Sequence, residues 1–180
     1  MFIKSALAAA AALTLAACAS TAPAPMFSQA SLPDAVKVPA GHKVVLETVG
    51  VGEITYECRD KKDAAGQTEW VFVGPDAKLL DRAGKQVGKY YGPPATWEAN
   101  DGSKVTGAQL AIAPGGAGNI PLQLVKANPA TGNGAMTGIT YIQRVATAGG
   151  VAPAAPCTPA TKGQKQIVQY KSDYIFYKAM

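Results

Sequence analysis

The stretch VQYKSDYIFY, from Val168 to Tyr177, decides the fold. Val168, Tyr170, Ser172, Tyr174 and Phe176 alternate with the residues between them, so a period of two governs the end of the chain. Aromatic and β-branched side chains suit a pleated, half-buried surface, and the stretch predicts a packed C-terminal strand. Upstream, Gly138 to Thr147 repeats the pattern. Ile139, Tyr141, Gln143 and Val145 share one face, while Thr140, Ile142 and Arg144 share the other. Neither face is cleanly polar, which suits a central strand in which Arg144 needs a partner or a route to water.

Further strands follow toward the N-terminus. Lys43–Thr48 and Ile54–Arg59 read as a first pair divided by a turn at Gly50 and Gly52. Trp70 to Val73 is a continuous apolar run ending at Gly74 and Pro75, a pattern that suits a strand buried on both faces. Leu79, Leu80, Val87 and Tyr90 flank a hairpin loop with Gly84 in a left-handed position. The Asp101-Gly102 pair between Trp97 and Val105 is a stronger hairpin signal still. Lys104–Ala113 and Ile120–Ala127 complete the set, with long irregular loops at Pro114–Asn119 and Gly149–Lys165. Nineteen Gly and 13 Pro punctuate these runs, and no twelve-residue stretch keeps a 3.6 period. The expected fold is all-β, one domain over residues 36–180, a sandwich or barrel of about ten short antiparallel strands.

The N-terminus carries an address. Lys4 precedes an apolar run from Ala6 to Ala17, which is the layout of an export signal and too short for a membrane span. Leu15, Ala16, Ala17 and Cys18 resemble the lipobox of bacterial lipoproteins. That resemblance implies cleavage after residue 17 and acylation of Cys18, with several chains on one residue giving a stable membrane anchor. Residues 18–35, rich in Ala, Ser, Thr and Pro, then read as a flexible tether. Ala19 is not the aspartate that holds enteric lipoproteins at the inner membrane, so the expected place is the outer membrane. With Cys18 assigned to lipid, Cys58 and Cys157 remain as an even pair in a compartment that permits disulfides, and a bond between them is expected.

Charge and chemistry exclude several function classes. Seventeen Lys and Arg against 12 Asp and Glu give a net charge of +5, which becomes +4 without Lys4. The charge is dispersed, with no arginine-rich stripe, so nucleic acid is not an expected partner. The single histidine, His42, sits in a turn and rules out a histidine-rich metal site. No CxxC pair is present, and Gly115, Gly116 and Gly118 lack the lysine and helix of a phosphate-binding loop. No cofactor is called for. Among the acids Glu53, Glu57, Glu69, Glu98, Asp101 and Asp173, spacing selects no catalytic pair. The aromatics are better candidates, because flat rings stack on sugars and apolar ligands. Trp70, Tyr91 and Trp97, with Asp101 and Arg144 as polar groups, form the candidate contact set.

Taken together, Tyr56-Glu57-Cys58, Trp70 with Phe72 and Gly74-Pro75, GKYYGPPATW from Gly88 to Trp97, Asp101-Gly102-Ser103, Ile142-Gln143-Arg144-Val145 and Asp173 to Tyr177 resemble the domain-of-unknown-function family 3455. The resemblance covers nearly all of the chain after the tether. It implies an exported protein and no particular activity. The expected role is therefore a lipid-anchored envelope protein that binds a polymer, sugar or protein, or has a structural role. The alternative is an envelope hydrolase of a glycan or ester using carboxylates or a tyrosine.

Overall fold

A computed structural model describes residues 27–180. Eight antiparallel strands occur in the described residues: β1 (His42–Asp60), β2 (Thr68–Leu80), β3 (Gln86–Tyr91), β4 (Thr96–Ala99), β5 (Lys104–Ala113), β6 (Leu122–Ala127), β7 (Tyr141–Gly149) and β8 (Lys165–Ala179). Each strand pairs with the next and β8 returns to β1, so the sheet closes as an up-and-down barrel.

The count is eight rather than about ten because two expected breaks are absent. Gly50 and Gly52 do not turn the chain; β1 runs through them, pairing with β2 from Val49 and with β8 from His42. A Cβ at Gly50 would stand 2.5 Å from the ring of Tyr174, so glycine here admits a large ring close to the strand. Gly74 and Pro75 likewise lie inside β2. Pairing with β3 begins only at Asp76 and Tyr91, so Pro75 falls where β2 has become an edge and a missing N–H is tolerated. Nor is the Trp70–Val73 run buried on both faces, since Phe72 is 51% exposed. The expected turns do form, with Gly84 and Gly102 at φ of 87° and 85°.

Alternation sends one set of side chains into the barrel. Tyr170, Tyr174 and Phe176 of β8 join Ile54, Leu79, Tyr90, Trp97 and Ile142 in the interior core. Glu47, Glu53 and Glu57 of β1 fall on the other face. An apolar inside and a charged outside are the reverse of the arrangement in a water-filled membrane barrel.

A second core lies on the outer surface. Ile175 and Tyr177, Val145, Leu124 and Ala113 face outward from β8, β7, β6 and β5, and Val36 and Val38 cover them. Phe27 and Leu32 pack against the same cluster. Gln29 fastens this segment, donating from Nε2 to the Val38 carbonyl at 3.0 Å and accepting the Val38 N–H at 2.8 Å. Residues 27–35, which composition assigns to the tether, thus lie against the barrel because its outer face supplies the apolar partner that the segment lacks by itself. Cys18 lies outside the described residues.

Candidate functional site

The two ends of the barrel differ. One is closed by the loop between β6 and β7, which inserts Met136 and Ile139 into the core. Asp101 and Ser103, in the β4–β5 turn, hold that loop. Ser103 Oγ donates to Asp101 Oδ1 at 2.6 Å and accepts the Met136 N–H, while Asp101 Oδ2 accepts the Ala135 N–H at 2.8 Å. These bonds pull the Asp101 carboxyl below its ordinary value, the Ser103 hydroxyl contributing most.

At the other end the β7–β8 loop covers part of the opening. A disulfide joins Cys58 to Cys157, with Cα atoms 5.4 Å apart. Trp70 Nε1 donates to the Ala155 carbonyl at 2.7 Å, and the Tyr56 hydroxyl to the Gly150 carbonyl at 2.8 Å. The rest stays open, since the turn from Gly92 to Ala95 is short while β1–β2 and β5–β6 extend beyond it. A cup of about 370 Å³ results.

Its lining sorts by depth. Tyr90 and Trp97, opposite each other on β3 and β4, form the buried floor with ring centroids 4.7 Å apart and planes 25° from parallel. Phe72, Ala95, Gln109 and Gln123 line the cup, with Phe72 and Gln109 exposed. Gln123 Nε2 donates to Gln109 Oε1 at 2.6 Å. Among the described residues Arg144 is the one charged residue of the lining. Its Nε and Nη2 both donate to the Pro121 carbonyl, at 3.1 and 3.0 Å. Among the described residues no carboxylate pairs with it. Around this guanidinium the phenols are kept neutral. Burial pushes Tyr90, Tyr170 and Tyr174 far up, and the positive charge of Arg144 opposes this only in part. The buried Trp97 Nε1–H has no acceptor among the described residues.

The family model for a protein of unknown function, DUF3455, matches residues 39–178. The chain belongs to the DUF3455 family. The match spans the barrel but for Ala179 and covers every residue of the cup. No curated protein and no solved structure matches the chain.

Of the five contact residues expected from sequence, the fold brings two together in the cup, Trp97 and Arg144. Tyr91 faces the outside, where its hydroxyl donates to Glu98 at 2.8 Å, a bond that raises the tyrosine and lowers the glutamate. Trp70 stands half-buried beside the disulfide loop, and Asp101 is at the far end. Tyr56, Phe72, Tyr90, Gln109 and Gln123 are among the lining residues absent from that set. The strand register is the missing signal. Tyr90 stands directly opposite Trp97 across a four-residue turn, which puts Tyr90 rather than Tyr91 on the inner face.

Proposed function

We propose that this protein is a lipid-anchored cell-envelope binding module, with Cys18 acylated, the following residues as tether and the barrel holding a small, partly apolar molecule in its cup. The observation that carries the reading is the stacked Tyr90–Trp97 floor beneath an open, half-polar mouth. Concave, mostly apolar sites with a few convergent polar groups are the usual form of small-molecule sites. The hydrolase alternative has less support, because among the described residues the cup lining holds no Asp or Glu and burial keeps Tyr90 a neutral phenol.

N-phenyl-1-naphthylamine, a neutral fluorescent ring compound, tests the cup. Its emission is expected to rise with the wild-type protein and to stay low with Ala95→Phe, which fills the mouth. No rise with the wild type, or an equal rise with the folded variant, defeats the reading. Incorporation of labelled palmitate in a bacterial host, lost in Cys18→Ser, tests the anchor separately.

A further inference from the structure

Resting on the binding reading, we infer that the cup takes a molecule bearing a carboxylate on a flat apolar ring, with the carboxylate on Arg144 and the ring over Tyr90 and Trp97. A guanidinium carries five N–H donors and no acceptor. Two of those in Arg144 converge on the Pro121 carbonyl, which orients the plane and leaves the Nη1–Nη2 edge free of partners among the described residues. A dipole at Pro121 does not neutralise a full positive charge in an aromatic wall, whereas a planar carboxylate does so with two parallel bonds.

The neighbouring groups agree in sign. The lining provides donors and neutral amides, and among the described residues no carboxylate that would repel an anion. A space of about 370 Å³ admits one or two fused rings.

The test compares naphthalene-2-carboxylate with naphthalene-2-carboxamide, its neutral counterpart of nearly equal shape, by calorimetry on the whole domain. The wild type is expected to prefer the carboxylate by roughly tenfold or more. Arg144→Gln is expected to remove that preference. Should Arg144→Gln not fold, Arg144→Lys carries the test: charge without the fork shrinks the preference several-fold. Equal affinities in the wild type, or a preference unaltered by either variant, overturn the carboxylate while leaving the cup reading intact. If neither naphthalene nor N-phenyl-1-naphthylamine binds the wild type, both fall.

Discussion

Trp97 and Tyr90 stack across β3 and β4, and the ring of Tyr174 meets both, at 5.0 Å from Tyr90 and 5.8 Å from Trp97. The floor of the cup is therefore also the centre of the core. Trp97→Ala is expected to lower unfolding free energy by about 3–5 kcal/mol, the range for a large aromatic lost from a packed interior. Trp97→Phe, which keeps a ring but loses the Nε1–H, is expected to stay folded with a much smaller loss. Denaturant midpoints of the two variants check this, and a Trp97→Ala midpoint equal to the wild type would contradict the packing described.

Gln29 makes three contacts that hold the N-terminal segment to the barrel, two to the Val38 backbone and one from Gln143 Nε2 at 3.1 Å. Gln143 is itself fully buried, donates to the Val36 carbonyl at 2.6 Å and accepts from the Tyr177 hydroxyl at 2.6 Å. Gln29→Ala is expected to cost roughly 1–3 kcal/mol, since neutral bonds contribute about 0.5–1.5 kcal/mol each. Amide exchange at Val36 and Val38 is expected to accelerate more than exchange in β8. Uniform acceleration would show instead that the segment and barrel open together.

The disulfide closes a separation of 99 residues and ties the end of β1 to the loop over the cup. Cys58→Ala with Cys157→Ala is expected to lower stability by about 2–5 kcal/mol. Reduction of the wild-type protein is expected to match the double variant within error. A midpoint unchanged by either treatment would mean that the staple contributes nothing.

Asp101 serves the closed end, and its carboxyl is held below the ordinary 3.8 by its bonds to Ser103 and Ala135. A depressed carboxyl stabilises the fold fully above its unfolded-state value, and the contribution fades as pH falls through the folded value. Asp101→Asn is thus expected to be less stable than the wild type near neutral pH, with the difference closing in acid. Its affinity for N-phenyl-1-naphthylamine is expected to equal that of the wild type. A fall in affinity without loss of stability would place Asp101 in the binding site.

Much of the architecture is legible in residue order. The alternation from Val168 to Phe176, the Asp101-Gly102 turn and the left-handed glycines are local signals, and each reports a local backbone conformation. Glycine inside β1 and the Gly74-Pro75 pair in β2 mislead, because the same residues that end a strand also admit a close neighbour or sit at an edge. Which of these applies depends on what lies across the sheet.

The residues themselves determined strand-forming alternation, one domain and a cysteine pair available for bonding, since periodicity and composition are properties of the chain alone. Closure of β8 onto β1, the covering of an outer face by Val36 and Val38, and the meeting of Trp97 with Arg144 were decided only by the tertiary structure. The physical reason is register: a shift of one residue between paired strands reverses which side chains face inward, and pairings as distant as β1 with β8 leave no local trace.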